Sequence, residues 1–296
     1  MDLQVLRFFA VIARCGSFLH AAQTLGYAQS NLSMKIKQLE QELGTKLFLR
    51  TKQGVRLTTK GTLLLSYADK LLNLADEAVA SLQGDEFSAR TLAIGSMESA
   101  AITFLPKLLT KFHSLEPELQ LTVETCVSRR ATQLVLDHRL DGAFIAGGAK
   151  HHDLEAIELF QETLVLLTNA EQKPEQELND LLALPLLVLP IGCTYRQVLE
   201  NMVAQAGLVP SRIVEFHSLG ALLASVSAGL GLALFPAATV TAFAAGQALT
   251  AHPIPAAYRS ISIQFISRKN SCKNLTLEKF KQLCVSLRSN LPNPEV

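Results

Sequence analysis

Two helix-forming patterns stand a few residues apart near the start of the chain, FLHAAQTL at 18–25 and QSNLSMKIKQLEQEL at 29–43, with Gly26 and Tyr27 between them. A connection that short is too tight for antiparallel stacking and suits a crossed helix-turn-helix pair. Ser17 is an N-cap residue for the first helix, and Gly26 and Gly44 are stops for the two in turn. In the second helix Leu32, Ile36, Leu39 and Leu43 recur at spacings of four, three and four, a stripe that can be buried. Its other face holds Gln29, Ser30, Asn31, Ser33, Met34 and Lys37, with no acid among them. Crossed pairs of this kind enter the DNA major groove by the N-terminal end of their second helix, so these six residues are the expected groove-facing set.

The flanks extend the unit. Leu3, Leu6, Phe9, Ala10 and Ala13 make a helical stripe that ends at Gly16. After Gly44, the segment TKLFLRTKQGVRLTT alternates Leu47, Phe48, Val55 and Leu57 around Gln53-Gly54, the pattern of a β-hairpin wing. Arg50, Lys52 and Arg56 lie on or beside it, where cations meet phosphates and supply affinity and salt dependence more than specificity. Residues 1–60 hold nine Lys or Arg against three acids, a balance of +6, which leaves −5 for the remainder of a chain whose net charge is +1. An excess confined to one short segment points to an anionic partner touched there alone.

Thr58 is an N-cap for one long helix, TTKGTLLLSYADKLLNLADEAVASLQ. Leu64, Ala68, Leu71, Ala75, Ala78 and Leu82 alternate by four and three along it, the pattern of a coiled-coil seam, and a dimerisation helix is expected. Leu63, Leu65, Leu72 and Val79 form a second apolar flank, and packing on the chain's own second half is the alternative. A polar break, GDEFSAR at 84–90, is the best domain boundary.

Beyond it TLAIGS, LQLTVET, LDGAFIAG, LVLLT, PLLVLP, RIVEFHS, GLALFP and ISIQFIS alternate with helix-length segments. This is an α/β pattern with parallel crossovers, long enough for two small sheets, and ligands of such sheets bind beyond the carboxyl ends of the strands. Three strand ends carry hydroxyls at the start of a helix: Ser96, Met97, Glu98 and Ser99; Cys193 and Thr194; Phe216, His217 and Ser218. Ser128 belongs to the same expected set. Helix N-termini favour anions, so an anionic or carboxylate-bearing small molecule is the expected ligand; the alternative is that these hydroxyls only cap their helices.

With 296 residues, 49% of them hydrophobic, more than one sizeable core is expected. No apolar run reaches the roughly 18 residues of a membrane helix, and the first residues lack the pattern of a signal peptide, so a cytoplasmic address is expected. Five scattered cysteines read as reduced thiols, with no zinc spacing and no disulfide framework. Cys193 and His217 could be imagined as a nucleophile and its base, but no orienting third group and no P-loop, GxGxxG or HExxH pattern accompanies them. Neither catalytic residues nor a metal or other cofactor are expected. A peroxide-sensing thiol at Cys193 lacks a resolving partner shortly downstream, the next cysteine being Cys272. A solute-binding module is a third reading of the second half, at odds with the basic helix pair in front of it.

Taken together, FFAVIARCGSFLHAAQTL, QSNLSMKIKQLEQELGTKLFLR, VRLTTKG, LPKLLTKFHSLEPELQL, LDGAFIAG and SAGLGLALFP make the chain resemble the LysR-type transcriptional regulators over its whole length. The resemblance implies a winged helix-turn-helix at 1–58, a linker helix at 59–87 and a two-lobed effector domain at 88–296, similar to periplasmic binding proteins. By the family's layout, lobe 1 is about 91–161 with 266–296, lobe 2 is about 162–265, and the effector cleft lies between them. It implies a homodimer or homotetramer that binds promoter DNA and no membrane. Ala28, Met34 and Gln53 stand where the family usually has Ser or Thr, Arg, and Arg, which implies a sequence specificity peculiar to this chain. Met34 offers an apolar contact to a thymine methyl.

Overall fold

The computed structural model of the chain describes residues 1–51, 54–82, 91–171, 177–243, 248–269 and 275–288, with the side chains of Arg50, Glu77, Ala80, Ser81, Leu82 and Phe243 outside that description. The chain divides between residues 87 and 88 into two compact units, the stretch Asp137–Arg139 clustering with the first.

In the first unit, helices α1 (Leu3–Cys15), α2 (Phe18–Leu25) and α3 (Gln29–Glu42) precede strands β1 (Phe48–Thr51) and β2 (Gly54–Leu57) and the long helix α4 (Thr59–Leu82). The helix limits follow local chemistry. Gly16 and Gly26 end α1 and α2 in the left-handed conformation, and Ser17 accepts from the His20 N–H to start α2. Gly44 is left-handed just past α3, with its N–H on the Gln41 carbonyl. Ala28 gives α3 no side-chain cap. The Thr58 hydroxyl accepts from the Gly61 N–H at 2.9 Å and opens α4. Leu6, Phe8, Phe9, Ala10 and Ile12 of α1, Leu32, Ile36 and Leu39 of α3, and Leu47 and Phe48 share one core. Two expected stripe members lie outside it: Leu3 is 46% exposed and Leu43, past the last helical turn, 39%.

The seam expected along α4 splits. Ala68 and Leu72 are buried in the first unit's core, with Leu64 and Leu65 packed beside them, because one face of α4 lies on α1. Ion pairs Arg14–Asp69 at 2.6 Å and Arg7–Asp76 at 2.7 Å join the same two helices. Leu63, Tyr67, Leu71, Leu74 and Val79 are left exposed as an apolar ridge.

The strands of the second unit are β3 (Thr91–Ser96), β4 (Gln120–Thr125), β5 (Gly142–Ala146), β6 (Leu154–Asn169), β7 (Leu186–Val188), β8 (Ile213–Glu215), β9 (Ala233–Pro236), β10 (Leu249–His252) and β11 (Ser260–Arg268). They form one seven-stranded sheet in the order β10-β6-β11-β5-β3-β4, with β9 also paired to β6, and a separate pair β7-β8. The expectation of parallel crossovers holds for β3 with β4 and β5 and for β7 with β8. It fails elsewhere: β11 runs antiparallel to β5 and β6, and β9 and β10 antiparallel to β6, giving a mixed sheet. The reason is β6, whose sixteen residues pair with β11 over the first part and with β9 and β10 over the last. It therefore passes continuously from one lobe to the other, and the lobe limits expected at 161 and 265 fall inside β6 and β11. No helix among the described residues is long and apolar enough to cross a membrane.

Candidate functional site

The first candidate surface is built on α3. Burial of Leu32, Ile36 and Leu39 turns Gln29, Ser30, Met34 and Lys37 to the exposed side, with Asn31 and Ser33 half-buried at its edges. Ser33, Met34 and Lys37 line one concavity together with Phe48 and Leu49 of β1. Glu40 sets the wing against α3: its carboxylate accepts from the Leu47 N–H at 2.8 Å and the Phe48 N–H at 3.3 Å and pairs with Lys46 at 3.0 Å. Burial raises the Glu40 pKa, but those backbone donors and Lys46 outweigh it and hold the carboxyl below its usual value. At the far end of the hairpin Val55 donates to the Gly16 carbonyl at 2.9 Å. A Cβ on Gly54, at φ 130°, would sit 2.3 Å from that same carbonyl oxygen. Arg56 is exposed on β2; Arg50 lies on β1, and Lys52 is outside the described residues. Arg7 and Arg14 are engaged by Asp76 and Asp69, and the described cations of α3 and the wing besides Lys46 are Lys35, Lys37 and Arg56.

The second candidate surface is a cleft of about 260 Å³ between the lobes of the second unit. Its lobe 1 wall comes from Met97, Glu98 and Ser99 at the end of β3 and from Thr125, Cys126, Val127, Ser128, Arg130 and Ala146; lobe 2 contributes Leu189, Pro190, Cys193, Thr194, Tyr195, His217 and Phe235. Helices Ser128–Leu136 and Thr194–Gln205 both begin at the cleft, neither with an acid in its first turn. Hydrogen bonds cross from lobe to lobe: the Thr194 hydroxyl to the Ala146 carbonyl at 2.9 Å, the Leu219 N–H to Glu98 at 3.0 Å, and the Arg129 N–H to the Gly192 carbonyl at 3.3 Å. Burial raises the pKa of Glu98, against the pull of the Leu219 N–H. Burial also pushes the Cys193 thiol up, against the N–H groups of Arg196 and Tyr195, and the thiolate is disfavoured.

Two family descriptions match. Residues 3–62 fit the bacterial regulatory helix-turn-helix protein of the lysR family, and residues 86–288 fit the LysR substrate binding domain. The chain belongs to the LysR family of transcriptional regulators. Its relatives include the HTH-type transcriptional regulator GltR of Bacillus subtilis, 38% identical over 280 residues that cover 95% of each chain. A full-length OxyR variant from Pseudomonas aeruginosa shares the fold with a TM-score of 0.68 at 24% identity, covering 97% of this chain and 95% of that one. Full-length CbnR, solved in complex with its target DNA, shares it with a TM-score of 0.68 at 23% identity, over 96% and 99%. This LysR-type regulator thus has a DNA-binding helix-turn-helix and an effector-binding domain.

Within the regulator's cleft the expected set divides. Met97, Glu98, Ser99, Ser128, Cys193, Thr194 and His217 line it. Three others face elsewhere. Ser96 is fully buried and its hydroxyl donates to the Met97 carbonyl; Phe216 packs against the main core; Ser218 caps its own helix, accepting from the Ala221 N–H at 3.4 Å. Ser128 also has an internal task, accepting from the Ala146 N–H at 3.1 Å. Tyr195 and Glu162 were absent from the expected set. Tyr195 adjoins Thr194, and its phenol was a signal within reach. Glu162 sits in the middle of β6, within EAIELFQET, whose charged residues obscure that it forms the first part of the strand.

Sequence spacing suggested no metal ligands, yet the exposed loop before β6 brings His151, His152 and Asp153 within 4.8 Å of one another by their ligand atoms. His152 Nε2 lies 3.2 Å from the Asp153 carboxylate, an ordinary ion-pair distance.

Proposed function

We propose that this regulator binds promoter DNA as a dimer or tetramer, reads it with Gln29, Ser30, Ser33, Met34 and Lys37, and responds to a small anionic effector held between the lobes. The exposed, acid-free face of α3 beside a basic wing carries the DNA reading. Arg50, Lys52 and Arg56 are assigned to phosphates. The exposed ridge Leu63, Tyr67, Leu71 and Leu74 supports dimerisation through α4, since contiguous apolar surface of this kind marks an interface.

For the effector, the observation that weighs most is the convergence of two helix N-termini on one cleft with Arg130 in the first turn of one of them. Aligned peptide dipoles and free backbone donors favour a carboxylate there. Glu98 does not oppose this reading, because its carboxylate is engaged by the start of helix Leu219–Ser227. Met97, Val127, Leu189, Pro190 and Phe235 would cover an apolar body. Catalysis is not part of the proposal: Cys193 and His217 share the cleft, but burial keeps the thiol protonated, away from the nucleophilic form. A DNA reader of this kind works in the cytoplasm.

A footprint of the full chain on the DNA beside its own gene, at several salt concentrations, tests the reading. The expected result is two protected half-sites separated by helical turns, weakening steeply with salt. Diffuse protection on every fragment, with and without small carboxylates, would sink it.

A further inference from the structure

The cleft wall is backed by a chain of three polar side chains that its lining does not exhaust. Ser99 of lobe 1 and Tyr195 of lobe 2 are both buried and both face the cleft, with Ser99 Oγ 2.8 Å from Tyr195 Oη. Tyr195 Oη in turn lies 2.6 Å from Glu162 Oε2 on β6, the strand common to both lobes, and 3.7 Å from Met97 Sδ, a weaker acceptor than either oxygen. Glu162 is 4% exposed, and its Oε1 has no hydrogen-bond partner among the described residues. Each hydroxyl can donate one hydrogen only, so whether Glu162 Oε2 accepts or donates decides where the Tyr195 hydrogen goes. With Glu162 ionised, Tyr195 must donate to the carboxylate and Ser99 to Tyr195, which leaves Ser99 presenting lone pairs to the cleft. With a proton on Glu162 Oε2, the oxygen that faces Tyr195, the carboxyl donates to Tyr195, Tyr195 turns its hydrogen to Ser99 in preference to the weaker sulfur acceptor of Met97, and the Ser99 hydrogen is free to point into the cleft.

The geometry points to a relay, Glu162–Tyr195–Ser99, whose hydrogen-bond direction reverses with one proton, so that the regulator takes up a proton at Glu162 when its cleft takes an anion. The inference rests on the anionic-effector reading above. Solvent supplies the proton and no covalent bond other than O–H changes. Burial raises the Glu162 pKa to about 7, against the hydrogen bond from Tyr195, so the switch falls in the neutral range. Tyr195 itself is held well above its ordinary pKa by burial and by Glu162, and stays a neutral donor. Cys193 acts on Tyr195 from the same helix start, and Glu98 and Arg196 act on Cys193. The elements packed against β6 carry further titratable groups: His252, which contacts Thr168; Arg259, on the Ile254 carbonyl; Arg268, on the Val135 and Leu140 carbonyls; Lys279, on Glu116; Lys281, on Glu155 and Glu278; and Tyr258, Cys284 and Arg288.

The probe is acetate, titrated into the full chain by calorimetry from pH 6 to 9 in two buffers of different ionisation heat, with the carboxylic C=O infrared band followed in parallel. Wild type is expected to show a carboxyl band that disappears near neutral pH, proton uptake on binding, and acetate affinity that falls about tenfold per pH unit above that midpoint. E162Q should bind with pH-independent affinity and lack the band. S99A should keep the titrating band while its affinity no longer follows it, an outcome that a merely structural Ser99 would not produce. A pH dependence that persists in E162Q assigns it to another cleft group such as His217 and overturns the relay, as does wild-type binding without proton uptake. Failure of acetate to bind at any pH overturns the anionic-effector reading itself, and the inference with it.

Discussion

The Thr194 hydroxyl donates to the carbonyl oxygen of Ala146 at 2.9 Å, tying the first turn of a lobe 2 helix to the end of a lobe 1 strand. A neutral hydrogen bond of this kind contributes about 1 kcal/mol net. Thr194→Val keeps the side-chain shape and removes the donor. It is expected to lower the stability of the second unit by about that amount, read as a shifted urea midpoint, while operator affinity stays within twofold of wild type. An unshifted midpoint would remove Thr194 from the set of groups that hold the lobes together.

Arg56 is exposed on β2. If it meets phosphate as proposed, it should act on every sequence alike: Arg56→Ala is expected to weaken binding uniformly and to reduce the slope of log affinity against log salt by about 1. Met34→Arg, on the exposed face of α3, should instead change which operator bases are preferred, since a bidentate base contact discriminates by about 1–3 kcal/mol. Competition between operator variants measures both, and an unaltered preference in Met34→Arg removes that position from base reading.

Gly54 cannot carry a side chain at no cost. Its φ of 130° lies where Cβ is strained, and the added carbon would approach the Gly16 carbonyl to 2.3 Å. Gly54→Ala is expected to destabilise the first unit on the order of 1–3 kcal/mol and to weaken DNA binding by displacing the wing. Thermal melting of the variant against wild type checks it; an equal Tm would mean that the hairpin moves away from Gly16 freely.

Leu71 and Leu74 are 39% and 51% exposed on α4. If the proposed dimer forms through this ridge, replacing both with Lys should raise its dissociation constant on the order of tenfold or more, because each burial lost is worth about 1.5–3 kcal/mol, without disturbing Ala68 and Leu72 on the buried side. Sedimentation velocity over a concentration series reads the effect. A dimer of undiminished strength would move the interface off this ridge.

Glu162 predicts a pH dependence of stability. Its folded pKa of about 7 stands above the unfolded value of about 4.3 for a glutamic acid. The folded state therefore holds the proton more tightly. The penalty of ionising Glu162 is absent below the unfolded pKa, grows as pH rises toward 7, and is complete above it. Wild type is expected to lose Tm relative to Glu162→Gln between about pH 5 and pH 8. Parallel melting curves for the two proteins over that range would refute the assignment.

The helix-turn-helix was legible because its determinants are local. Ser17, Gly16, Gly26 and Gly44 mark helix ends through side-chain caps and left-handed backbone that any neighbouring fold would leave in place. The apolar spacing of α3 likewise sets which residues face outward without reference to the rest of the chain, and the full-length family resemblance rests on such stretches. Tertiary packing decided the remainder. Which face of α4 stays exposed depends on α1 burying Ala68 and Leu72, a contact between segments some sixty residues apart that no periodicity within α4 encodes. The mixed sheet depends on β11 and β9 returning to a strand whose outer half looks polar in sequence. The chain of Ser99, Tyr195 and Glu162 joins positions 96 and 33 residues apart, and burial alone gives its carboxyl a neutral-range pKa. Caps and stripes are properties of a segment; desolvation, register and hydrogen-bond direction exist only once distant segments exclude water from one another.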